Sequence, residues 1–145
     1  MFVQCLHANE IKVLVDVRSF PGSRRYPHFN RETMDVRLGA AGIGYMWMPE
    51  LGGRRKPKPD SRNTAWRNAA FRGYADYMET DAFHKGLEKL ETIAQHEPTA
   101  YMCSEAVWWR CHRRLLSDAL AARGWTVMHI IGRDVKPHPL LSADE

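Results

Sequence analysis

The sequence predicts an α/β fold: a mostly parallel sheet in three layers, with helices on both faces, in a single domain spanning residues 1–145. Three observations carry that expectation. Short β-branched runs alternate with amphipathic stretches in strand–helix order, the pattern of parallel strands joined by helical crossovers. The run "IKVLVDV" (11–17) is almost wholly apolar, as a strand covered on both faces must be. At 145 residues the chain is long enough to bury about two-thirds of its unfolded surface in one core.

The opening "FVQCLHAN" is apolar enough for the tail of a packed helix. A complete fold of this type leads with a strand, so an N-terminal strand is expected to be missing or supplied elsewhere in the assembly. "IKVLVDV" is the first strand present. "NRETMDVRLGAAG" follows as a helix, with Asn30 suited to the N-cap and Gly42 to the stop. "IGYMWM" (43–48) is a second strand. In "PELGGRRKPKPDSRN" three prolines and paired glycines preclude regular structure. Its length marks it as a lid or binding loop, with Trp66, Phe71 and Tyr74 available to dock it. "FRGYADYM" is expected to be helical. After Thr80, the helical spacing of Phe83, Leu87, Leu90 and Ala94 defines an amphipathic helix. "TAYMC" (99–103) is a short strand, residues 106–123 a helix closed by Gly124, and "TVMHII" (126–131) a final strand. There is no internal repeat and no low-complexity segment.

Hydrophobic residues make up 44% and charged residues 26%, ordinary values for a soluble domain. No apolar run approaches the roughly 20 residues that span a bilayer, so no membrane partner is expected. The first residues lack the basic-then-apolar layout of a signal peptide, which points to the cytoplasm. Three cysteines cannot all pair, and a reducing compartment disfavours disulfides, so all three read as free thiols or ligands.

The net charge of +4 hides a strong segregation. Residues 53–72 carry seven cations against Asp60 alone, and residues 18–31 carry Arg18, Arg24, Arg25 and Arg31 with no acid. In parallel sheets, ligands bind beyond the carboxyl ends of the strands. Here those ends read "DVRSFPGSRR", "PELGGRRK", "CSEAVWWR" and "GRD". Both basic segments are therefore expected on one edge, together with Asp16, Glu50, Cys103 and Glu105. An anionic ligand follows from that charge.

Asp16 and Arg18 alternate onto one side of their strand, as a structural ion pair or as a carboxylate beside a guanidinium fork for an oxyanion. Cys103 ends a strand ahead of a helix beginning near Ala106, whose free N–H groups would favour a thiolate. Packing at a strand end is the plainer alternative. Six residues separate Cys103 from Arg110, one more than the loop of cysteine phosphatases has, and Glu105 stands where phosphate would sit, which excludes that chemistry. Cys111 shares a helical face with Val107, Leu115 and Ala119 and reads as core; His112 shares one with Trp108 and Leu116. Trp108 and Trp109 project about 100° apart and cannot form one stacking platform. Metal-ligand spacing is imperfect, so no metal is assigned, and the cofactor stays unknown.

The blocks "LVDVRSFPGSRRYPHFN", "YMWMPELGGRRK", "FRGYADYM" and "MCSEAVWWRCHRR", in that order, resemble the domain of unknown function 488 family across nearly the whole chain. The Cys-x-Glu and Cys-His-Arg hallmark falls on Cys103, Glu105, Cys111, His112 and Arg113. The resemblance implies a site at those positions and no particular reaction. The leading functional expectation is an enzyme acting on a phosphate-bearing or otherwise anionic substrate, a nucleotide or nucleic acid among them. Arg18, Ser19, Arg54, Arg55, His112 and Arg113 would hold the anion, Asp16 or Glu105 would handle protons, and Cys103 would be nucleophile or ligand. The alternatives are a non-catalytic nucleic-acid-binding module using the basic loop, and a metal or redox sensor. Each is compatible with a homodimer.

Overall fold

The computed structural model describes residues 2–19, 30–64, 66–103, 108–131 and 134–139. Two compact units emerge from the contacts. One comprises Met1–Gly52 and Lys85–Met102; the other comprises Gly53–His84 and Cys103–Glu145.

The first unit is built on the expected parallel sheet. Its elements are α1 (Phe2–Ala8), β1 (Val13–Asp16), α2 (Arg31–Ala40), β2 (Gly44–Trp47), most of α4 (Asp81–His96) and β3 (Thr99–Met102). β1 is the central strand, flanked in parallel by β2 and β3. Its centrality explains its composition: Leu14, Val15 and Val17 are at most 1% exposed. Leu14 joins Leu6, Met34, Leu38 and Ile43 in a cluster that seats α1 and α2 on one face, and Val15 points to the other. The register sets Asp16 level with Trp47 and Met102, so the three strands finish together. α2 begins after Asn30 and stops at Gly42, whose φ of 79° releases the chain into β2. The α/β class expected from the alternation is the one observed.

The second unit contains the segment 53–63, α3 (Ala69–Tyr77), the first turn of α4, a 3-10 turn at Trp108–Arg110, α5 (Arg113–Ala122), β4 (Met128–Ile131) and β5 (Asp134–Pro137). Asn68 caps α3 by accepting from the backbone N–H groups of Ala70 and Phe71, and the Thr80 hydroxyl accepts from Phe83 at the start of α4. α5 closes at Gly124, as expected.

Two expectations need correcting here. The last strand does not extend the parallel sheet: β4 pairs antiparallel with β5, Met128 opposite Pro137. Only two residues separate these strands, which suffices for a hairpin, whereas a parallel return needs a dozen or more. The "GRD" segment therefore does not finish a strand of that sheet. Regular helix also starts at Arg113 rather than near Ala106. Tryptophan, cysteine and histidine have middling helix propensity, and here Trp108 and Cys111 are engaged by other groups.

Candidate functional site

In the first unit, the sheet delivers Asp16 to the end of β1 with its carboxylate fully buried. The Arg18 guanidinium grips it through Nε (2.8 Å) and a terminal nitrogen (2.6 Å), the Arg18 backbone N–H donates at 3.1 Å, and the Tyr45 hydroxyl donates as well. Burial, and then the hydrogen bond and charge of Asp16, push the Tyr45 phenol well above its ordinary range. The Trp47 indole donates to the Arg18 carbonyl at 2.8 Å. Asp16 and Arg18 thus form the ion pair that was one of the two readings of "VDVR". Ser19 lies against Gly52, where any Cβ would fall 2.5 Å from its hydroxyl.

The second unit holds Cys103, Arg54, Arg55, His112 and Arg113. Glu105, Arg24 and Arg25 lie outside the described residues. Cys103 and Cys111 are both largely buried, at 9% and 8% exposed, and their Sγ atoms are 3.0 Å apart. Arg113 donates to the Cys111 sulfur from Nε at 3.1 Å and from its backbone N–H at 3.3 Å. The hydrogen bond from Cys103 brings the Cys111 thiol down to about 6; burial opposes the shift, and the charge and hydrogen bonds of Arg113 add to it. Burial was expected of Cys111 and is found. Its contact with Cys103 was not expected, because helical spacing was applied to residues that precede the helix.

The basic loop expected to act as a lid is tied along its length. Asp76, buried on α3, accepts from the Lys58 backbone N–H (2.8 Å), the Ser61 hydroxyl (2.8 Å) and the Asn63 amide (2.6 Å). Burial alone would raise its carboxyl, but the bonds from Asn63, Lys58 and Ser61 outweigh it and hold the group below the usual range. A Cβ on Gly73 would fall 1.9 Å from the Arg55 carbonyl oxygen, so the loop backbone lies directly on α3. A Cβ on Gly53 would fall 2.9 Å from His112 Nδ1, and the His112 ring packs on Tyr74 at 5.0 Å. Of the expected docking residues Trp66, Phe71 and Tyr74, the first two pack edge to face beneath Arg114 and Tyr74 packs on His112.

Pinned in this way, the loop lines a cleft of about 300 Å³ with Arg54, Arg55, Lys56, Lys58, Tyr77 and Thr80. The Arg55 guanidinium sits 3.6 Å over the Tyr77 ring, and Arg54 holds the left-handed conformation at φ 56°, strained for a residue with a side chain. Among the described residues, no three of His, Cys, Asp or Glu are grouped to hold a metal ion.

Sequence reasoning passed over a further cluster in this unit. The Trp108 ring stacks on His129 at 4.2 Å and 7°, His129 Nε2 lies 2.8 Å from His138 Nδ1, and His138 Nε2 lies 2.6 Å from Asp118. Trp108 and Trp109 meet at 88° and form no common platform. The signal available was weak: two histidines nine residues apart, one on a strand and the other just past the next, with nothing to show that the strands pair.

A three-stranded parallel sheet with helical crossovers, and a second unit holding paired thiols and a cationic loop, define an α/β protein. The chain belongs to the family described as Domain of unknown function DUF488, whose model matches residues 1–120. No curated protein and no solved structure matches it. No helix among the described residues is long and apolar enough to cross a membrane.

Proposed function

We propose that this protein is an enzyme acting on an anionic substrate, with the Cys103–Cys111 pair as its reactive group. The observation that carries the reading is the contact of the two thiols at 3.0 Å with Arg113 Nε on the Cys111 sulfur at 3.1 Å. A cation and a thiol donor around one sulfur stabilise a thiolate near neutral pH, and the thiolate is the form that attacks electrophiles. With Cys111 as the thiolate, Cys103 donates its S–H and Arg113 balances the charge. Arg54 and Arg55, which follow the Gly53 that lies against His112, supply cations for the substrate's anionic group. Reduced thiols of this kind suit a reducing compartment such as the cytoplasm.

Alkylation tests the reading directly. With iodoacetamide, the pH profile for Cys111 should inflect near 6. Arg113→Gln should move the inflection upward. Thermal shift across inorganic phosphate, nucleotides and sugar phosphates then identifies the anion, because a ligand that binds only the folded state raises the melting temperature with occupancy. Cys111→Ser and Cys103→Ala should fold and lose that response. An inflection near the ordinary thiol value of about 9, unmoved by Arg113→Gln, would remove the basis of the proposal.

A second reading, a nucleic-acid-binding module without catalysis, draws on the four cations lining the cleft. It requires oligonucleotides alone to stabilise the fold, with steep salt dependence and indifference to both cysteines.

A further inference from the structure

The Asp118–His138–His129 chain belongs to neither reading, and both of its histidines follow the span matched by the family model. Its hydrogen bonds fix the tautomers. The Asp118 carboxylate can only accept, so His138 donates from Nε2 across 2.6 Å. His138 Nδ1 is then a bare acceptor, so His129 must donate from Nε2 across 2.8 Å. That leaves the lone pair on His129 Nδ1. This nitrogen has no hydrogen-bond partner among the described residues. No described side-chain nitrogen is both fully shielded and unpartnered, so Nδ1 has an outlet to solvent.

The orientation is held from both sides. The parallel Trp108 ring prevents His129 from rotating, and the His138 side chain is 2% exposed. Charge is distributed unevenly along the chain of groups. Arg113 acts on His129 from α5, whereas His138 has Asp118 at its far side, and Arg114 acts on Asp118. Arg113 therefore disfavours a positive charge on His129, while the carboxylate of the chain faces His138.

We propose that Asp118, His138 and His129 form a general-base relay with its mouth at His129 Nδ1, serving a protic substrate such as water or a hydroxyl group. A proton enters at Nδ1 of His129, and the Nε2 proton of His129 passes to Nδ1 of His138. The resulting imidazolium rests on His138 beside the Asp118 carboxylate, with no change of oxidation state. Arg113 lies between the two proposed centres in function: it donates to Cys111 and its charge reaches His129. The relay stands on its own geometry, whichever reaction the thiols carry out.

The test uses the full chain labelled with ¹⁵N, its histidine ring nitrogens followed by long-range ¹H–¹⁵N NMR between pH 7.5 and about 5.5, above the range in which His129 itself takes a second proton. His129→Gln and His138→Gln assign the signals. At pH 7.5 both rings should carry the proton on Nε2. On acidification His129 should change tautomer, from Nε2–H to Nδ1–H, as His138 becomes the doubly protonated ring. A hydrogen-bonded cluster with only a structural role would protonate His129 in place, without that exchange. Asp118→Asn, which keeps the shape and removes the charge, should abolish the exchange, and Asp118→Glu should restore it. Double protonation of His129 within that pH range in the parent, or an exchange that survives in Asp118→Asn, overturns the relay. Neither result bears on the alkylation profile of Cys111, so the two proposals can fail separately.

Discussion

Replacing Gly73 by alanine isolates the contact that holds the cationic loop on α3. An alanine in a helix is normally favoured over glycine by about 1 kcal/mol, through lower backbone entropy in the unfolded chain. Here the new methyl would stand 1.9 Å from the Arg55 carbonyl oxygen and 2.7 and 2.8 Å from the carbonyl carbons of Arg55 and Lys56. All three are backbone atoms, so no rotamer change relieves the clash. The loop must lift by about 1 Å or more, which strains the bonds that Asp76 accepts from Lys58, Ser61 and Asn63. Overpacking of this kind costs about 3 kcal/mol at the upper end of its range, leaving a net loss near 2 kcal/mol after the helical gain. For a chain of this size that is a fall in Tm of about 4–8 °C. Gly39→Ala in α2 is the control, because nothing lies within 4 Å of its Cβ; it should gain up to about 1 kcal/mol. Urea titrations and thermal melts followed by circular dichroism measure both. If Gly73→Ala is as stable as the parent while Gly39→Ala gains, the loop does not lie on α3 as described.

Gly53→Ala should cost less than Gly73→Ala, since its methyl meets the His112 ring, a side chain that can turn; an equal loss in urea would contradict this. Tyr45→Phe should lower stability by about 1–2 kcal/mol by removing a donor to a charged acceptor. Because the folded fold holds the Tyr45 phenol up, its contribution is complete below the unfolded value near 10 and lost as pH rises beyond it, so parent and Tyr45→Phe should converge in alkali. His129 is held down to about 4, by burial first and then by the charges of His138 and Arg113. Its contribution is present above pH 6.5 and lost as pH falls toward 4, with a slope of at most about 1.4 kcal/mol per pH unit, and His129→Gln should flatten that limb. Cys111 behaves alike at higher pH: its contribution is present above about 9 and lost as pH falls toward 6, so Cys111→Ser should flatten the stability profile between those values.

Local patterning alone determined the α/β class, the central strand and most helix boundaries. A strand covered on both faces has to be apolar throughout, as Leu14, Val15 and Val17 are, and a helix ending in a left-handed turn needs a residue such as Gly42 or Gly124. The Asp16–Arg18 pair was also legible, because two residues of separation on a strand put both side chains on one side. Tertiary structure decided the rest. The Cys103–Cys111 contact joins residues that share no regular element, the Asp76 anchor reaches back 13 to 18 residues, and the His129–His138–Asp118 chain needs a hairpin and a helix brought together. Periodicity reports which way a side chain points within its own helix or strand, while hydrogen bonds and charge depend on what another part of the chain places opposite it.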